Sequence, residues 1–170
     1  MILGVDPGFH GALAFLENGE VVDVFDVPLF QVKVNKSLKN EVDIPALRRI
    51  LLAMRGQVTH AMIERVQPMP ATRQDEEGNR ATMGATSAFN FGRTFASLYT
   101  AVAMAGIPYT LVMPAVWKRA LAVPKDKDGA RHRASQLMPS SSHHWPLKKH
   151  DGRAEAALIA LYGSRQSGWL

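Results

Sequence analysis

Two short apolar runs far apart in the chain, Ile2–Val5 and Ala61–Ile63, each end on a carboxylate, Asp6 and Glu64. Apolar runs this short, bounded by turn signals, read as buried strands. What lies between them constrains the fold. Gly11–Leu16 and Val21–Val27 flank Asn18-Gly19, a strong two-residue hairpin signal, so the first three strands form an antiparallel meander. Gln31–Asn40 is polar, carries Lys33, Lys36 and Lys39, and is expected to be a loop. Asp43 then caps a helix with Pro45 in its first turn and Leu47, Ile50, Leu51 and Met54 on its apolar face. A strand after that helix returns beside the first one in parallel, through a right-handed crossover. Asp6 and Glu64 are thereby expected side by side.

The rest of the chain alternates in the same way. Thr72–Arg80 reads as an exposed loop, Thr94–Ala105 as a helix stopped by Gly106, and Ile107–Met113 as a fifth strand. Short helices are expected over Pro114–Leu121 and Gly129–Leu137, an irregular stretch over Pro139–Lys149, and a last helix over Asp151–Tyr162. Its buried stripe is Ala154, Ala157, Leu158 and Leu161. The pattern predicts one α/β domain over residues 1–170, a five-stranded mixed sheet with helices on both faces.

Composition narrows the chemistry. The chain has no cysteine, which excludes disulfides, thiolate metal sites and cysteine nucleophiles. No apolar run approaches the ~20 residues that span a bilayer. No signal peptide is expected, because the Ile2–Val5 run lacks a basic flank and a cleavage site, and a cytoplasmic location follows as an expectation. The net charge is +5, and its basic weight lies late: Lys118 to Arg153 holds nine Lys or Arg against three Asp. Such a surface suits a polyanion.

Carboxylates at the ends of buried strands are costly unless something pairs with them. Asp151 opens the last helix and Glu155 follows one turn later on the same face. Asp6, Glu64, Asp151 and Glu155 thus come from three elements and can converge. Hard oxygen donors gathered this way suit Mg²⁺ or Mn²⁺. Two such ions, ~4 Å apart, can activate water and stabilise the leaving oxygen of a phosphodiester.

The residues also resemble a family. Ile2-Leu3-Gly4-Val5-Asp6-Pro7-Gly8, Met62-Ile63-Glu64 and Asp151-Gly152-Arg153-Ala154-Glu155-Ala156-Ala157-Leu158-Ile159-Ala160 are similar to the motifs of RuvC-type Holliday junction resolvases. Ser87-Ala88-Phe89-Asn90-Phe91-Gly92-Arg93 and Pro114-Ala115-Val116-Trp117-Lys118 look closer to phage-encoded RuvC-like proteins. The resemblance implies an RNase H-like fold and a homodimer. It also implies a Mg²⁺-dependent endonuclease, with Mn²⁺ a possible substitute and two ions per site, that resolves four-way and other branched DNA by paired nicks. Asp6 and Glu64 carry over as metal ligands. The last pair departs from the family's spacing: two acids usually sit three residues apart, whereas Asp151 and Glu155 are four apart. Either Asp151 or His150 completes the set.

Lys118 matches a family lysine near the scissile phosphate, and Lys125 or Lys127 resembles a second. Arg131, Arg133, Lys148 and Lys149 read as phosphate contacts that position rather than select. The loop from Pro68 to Arg80 carries Met69, Arg73 and Arg80 where the bacterial enzymes carry an aromatic that enters the junction. Phe89 and Phe91 read as core or dimer contacts, and His143-His144-Trp145 as a loop whose Trp packs inward. No small-molecule cofactor and no membrane partner are expected. Competing functions are cleavage of forks or RNA–DNA hybrids, branched-DNA binding without cutting, and an actin-like ATPase, for which the chain is too short.

Overall fold

The computed structural model describes residues 1–35, 37–67, 84–126 and 128–166. Strands β1 (Ile2–Val5), β2 (Ala12–Glu17) and β3 (Glu20–Asp26) form the expected meander. Its hairpin turn places Asn18 at φ 52° and Gly19 at φ 84°, the left-handed pair that such a turn demands. Helix α1 (Ile44–Ala53) is capped by Asp43, whose carboxylate accepts the Ala46 N–H at 2.9 Å. Strand β6 (His60–Glu64) then lies parallel to β1, Gly4 opposite Met62 and Val5 opposite Ile63. Strand β7 (Tyr109–Val112) adds in parallel beyond it, so the five-stranded sheet runs β3-β2-β1-β6-β7.

Two expectations change. Residues 31–40 are not a loop: β4 (Leu29–Val34) and β5 (Ser37–Val42) pair antiparallel as a separate two-stranded ribbon. Phe30, Val32 and Val34 alternate with Gln31 and Lys33 in β4, a strand signal that the polar, lysine-bearing stretch obscures, while β5 shows no such alternation. Helix α2 (Ala85–Met104) begins at Ala85 rather than at Thr94. Its first turns are rich in Ser, Asn and Gly, poor helix formers that tertiary context overrides. The other helices are α3 (Pro114–Ala120), α4 (Gly129–Leu137) and α5 (Asp151–Ser164), with 3₁₀ turns over Pro139–His144 and Lys148–His150. Trp145 is buried, as expected, and its indole N–H donates to Ser135. No helix among the described residues is long and apolar enough to cross a membrane.

Strand alternation divides the core. Leu3, Val5, Leu13, Phe15, Ala61 and Ile63 face α1 and α2, while Ala12, Ala14, Leu16 and Met62 face α3, α4 and α5. Each large side chain so buried contributes ~1.5–3 kcal/mol. Helices therefore cover both faces, and α5 is apolar around most of its circumference because α3, α4 and the sheet enclose it. It also sits unusually close to β1. A Cβ at Gly4 would overlap the Ala156 carbonyl, and one at Gly152 would overlap the carbonyl of His10. Glycine at both positions lets α5 press on β1 and on the turn that follows it.

Candidate functional site

That close approach assembles the acids. Asp6 leaves β1 into a tight turn in which Gly8 donates to the Asp6 carbonyl at 3.1 Å and Gly11 to the Gly8 carbonyl at 3.0 Å. The Asp6 N–H still donates to the Ala12 carbonyl at 3.0 Å, so the residue is fixed at the end of the central strand. Glu64 ends the neighbouring β6 and Asp151 begins α5. Asp6, Asp151 and Glu155 border one cavity of about 500 Å³, lined also by Gly8, Phe9, His10, Gly11, Ser87, Asn90, Phe91, Thr94 and Gly152. A second cavity of about 990 Å³ shares Asp151 and Glu155 but is walled by Lys118, Arg119 and Lys125. Asp151 and Glu155 sit on the partition between the two, whereas Asp6 lines only the first and Glu64 lines neither.

Their electrostatics follow from that crowding. Burial pushes the Asp6 carboxyl well above its ordinary range, and the charges of Glu155 and Glu64 push it further. Burial and then Glu155 raise Glu64 to about 7, against an opposing hydrogen bond from Trp117. The Trp117 indole N–H donates to Glu64 Oε2 at 2.9 Å from a fully buried ring. Lys118 donates to Glu155 Oε1 at 2.6 Å and lies 5.0 Å from the Trp117 ring centroid. Burial disfavours its ammonium, but Glu155, Glu64 and Asp6 outweigh that and hold its pKa above the ordinary lysine value. One lysine stands here against three mutually repelling acids. Trp117→Phe removes the donor that favours ionised Glu64, so its pKa is expected to rise by roughly one further pH unit, read by carboxyl NMR titration.

The donors fit a hard divalent cation in kind. All are carboxylate oxygens, their charges are incompletely compensated, and buried Asp151 Oδ1 has no hydrogen-bond partner. They do not form a closed cage: among the described residues, no three Asp, Glu or His side chains are grouped as metal ligands are. Trp117 holds one oxygen of Glu64 and Lys118 one of Glu155. His150, the alternative to Asp151, lines neither cavity, and its Nδ1 accepts the Leu147 N–H at 3.3 Å.

The cationic residues divide. Lys118 and Lys125 line the larger cavity, and Lys148 and Lys149 are exposed, Lys148 with its ammonium 3.8 Å from Asp128. Arg131 pairs with Asp128 at 3.0 Å, and Arg133 donates to the Leu121 carbonyl at 2.6 Å. Both are committed to contacts within the chain, a difference that a charge count does not register. Arg73, Arg80 and Lys127, like Met69, lie outside the described residues. Phe89 is exposed and Phe91 lines the smaller cavity, so neither belongs to the core clusters. Sequence reasoning did not single out Gly4, Gly152 or the indole of Trp117. Their roles depend on through-space neighbours that no local pattern encodes.

No family model matches the chain, and no curated protein matches it. Solved structures do. RuvC of T. thermophilus in complex with a Holliday junction substrate aligns with a TM-score of 0.54 at 15% identity, covering 96% of this chain and 92% of that one. A second Thermus thermophilus RuvC structure aligns at 0.51 and 14%, with the same coverage. The fold is RuvC-like. The likeness accounts for the five-stranded mixed sheet with helices on both faces and spans nearly the whole chain. It is to a bacterial protein and gives no support to a special closeness to phage proteins.

Proposed function

We propose that the chain is a divalent-metal-dependent endonuclease acting on branched DNA, a four-way junction resolvase working as a homodimer of one-domain subunits. The observation that carries this reading is the convergence of Asp6, Glu64 and Glu155, each raising another's pKa or raised by it, beside the unpartnered Asp151 oxygen and a cationic cavity. The RuvC-like fold, with one neighbour bound to a Holliday junction, supports the choice of substrate.

Asp6, Glu64, Asp151 and Glu155 would hold Mg²⁺, or Mn²⁺ in its place. A bound cation supplies Lewis-acid activation of water and charge neutralisation at the leaving oxygen. The chain's own groups do the rest. Trp117 fixes the Glu64 carboxylate, and the glycine contacts of α5 hold Asp151 and Glu155 against the Asp6 turn. Lys118, freed from Glu155, offers an ammonium to charge developing on the phosphoryl oxygens. Lys125, Lys148 and Lys149 attract the backbone without selecting sequence. Arg73, Arg80 and Lys127 join them as proposed DNA contacts.

A labelled four-way junction and its linear duplex, each with Mg²⁺, Ca²⁺ or EDTA, test this. Paired nicks in the junction with Mg²⁺ alone are expected. Cutting of forks or RNA–DNA hybrids in preference to junctions would move the substrate while keeping the chemistry. A second reading, junction binding without cutting, is favoured by one feature: the 2.6 Å Lys118–Glu155 contact occupies an oxygen that a cation would need. Tight binding in every metal condition with no nicks in any would select it.

A further inference from the structure

The partition that Asp151 and Glu155 form has two unlike sides, and a nucleic-acid strand has two unlike sides as well. On the cavity side shared with Lys118, Arg119 and Lys125 the wall is cationic. On the other side it is aromatic and neutral-polar: Phe9, Phe91, Ser87 and Asn90 face a space of about 500 Å³. That volume falls within the ~300–1,000 Å³ of small-ligand clefts. Among the described residues no Lys or Arg lines it, and Asp6, Asp151 and Glu155 do, so it is poorly suited to a phosphate.

Two of its polar groups, half-buried Asn90 and exposed Ser87, have no partner among the described residues. The Asn90 amide and the Ser87 hydroxyl make no hydrogen bond to any described residue, whereas Thr94 one turn later is buried and donates to the Asn90 carbonyl at 2.9 Å. Thr94 thus engages the Asn90 carbonyl and not its amide. An amide presenting both donor and acceptor matches a base edge, and aromatic rings match a base face. The wall is built: Asp6, Gly11 and Gly152 on its far side are locked by the overlap-limited contacts of the Asp6 turn with α5.

We propose that this cavity receives one unstacked nucleobase of the strand whose phosphate lies at the acids, with Phe9 and Phe91 against its face and Asn90 reading its edge. The inference rests on the nuclease reading for the phosphate's position and deepens it by assigning a base-recognition site. Base identity beside the cut then enters through a pocket on the subunit that cuts, separately from recognition of branch shape. Taking a base out of the stack costs a few kcal/mol, least at a branch where stacking is already broken, which ties the pocket to branched substrates.

The test uses the full chain with Ca²⁺ and four-way junctions carrying 2-aminopurine in turn at each nucleotide around the branch point. Binding is expected to raise fluorescence severalfold at one position, where the base leaves the stack. In Mg²⁺, cutting rates are expected to differ about tenfold or more among the four natural bases at that position. Asn90→Ala is expected to level those rates to within about twofold. Asn90 is on a partly exposed helix face, so its fold is expected to survive; Phe91→Ala, checked by thermal melt, should abolish the fluorescence rise. Absence of a rise at every position, or base-dependent rates unchanged by Asn90→Ala, overturns the pocket. If no condition gives nicks but one position still brightens and Phe91→Ala removes that signal, the nuclease reading fails and the pocket stands.

Discussion

Asp6→Asn is expected to abolish junction cutting, by roughly a thousandfold or more, while making the metal-free protein more stable at neutral pH. The two effects have one origin. Burial and the charges of Glu155 and Glu64 hold the Asp6 pKa well above its ordinary value. Between the unfolded and folded pKa values, the folded chain keeps a proton that the unfolded chain has released. Stability of the metal-free protein therefore falls as pH rises through that window. Glu64, lifted from 4.5 to about 7, adds a second contribution of the same sign, lost between those values. Asparagine mimics the protonated acid and carries no charge to desolvate. In EDTA the wild type should thus lose stability from pH 5 to pH 8, and Asp6→Asn should lose less. The gap should be smallest at pH 4 and widen toward pH 8. Urea melts across pH read it directly. Equal stability of the two proteins at every pH would mean that Asp6 is neither buried nor crowded by acids, and the site would lose its physical basis.

How much of this site could be read in the sequence depends on whether the signal is local. Short apolar runs ending on Asp6 and Glu64, an Asn18-Gly19 turn and a capping Asp43 are local patterns, and each appears where it was expected. The parallel pairing of β1 with β6 follows from chain handedness. The β4–β5 ribbon reads as a loop by its polar content and lysines, although Phe30, Val32 and Val34 alternate with Gln31 and Lys33; β5, exposed along most of its length, lacks the pattern. The start of α2 was hidden by Ser87, Asn90 and Gly92, residues that read as non-helical by propensity. Arg131 and Arg133 look like any exposed cation until Asp128 and the Leu121 carbonyl are seen beside them. Sequence placed the acids at the right ends of the right elements. It could not say that Lys118 and Trp117 already hold two of their oxygens.

The glycines that bring those ends together carry the second large effect. Gly4→Ala sets a methyl group against the Ala156 carbonyl and the Ala160 backbone, both in the middle of an enclosed helix. Neither backbone can move without lifting α5 off β1, so a loss of about 3 kcal/mol or more is expected, a large share of a typical 5–15 kcal/mol stability. Gly152→Ala meets the His10 carbonyl at the first turn of α5, where the chain can yield. Its cost should be smaller, about 1–3 kcal/mol, but yielding there carries Asp151 and Glu155 away from Asp6. Cutting should then fail in a protein that still melts cooperatively. Gly163→Ala should cost less than Gly4→Ala, since its methyl meets the buried Met62 and Ile2 side chains rather than backbone. Urea midpoints should fall in the order Gly4, Gly152, Gly163, with unchanged slopes. Near-equal midpoints for Gly4→Ala and Gly163→Ala would show that α5 does not press on β1 as described. The acids would then lack the contact that brings them into one place.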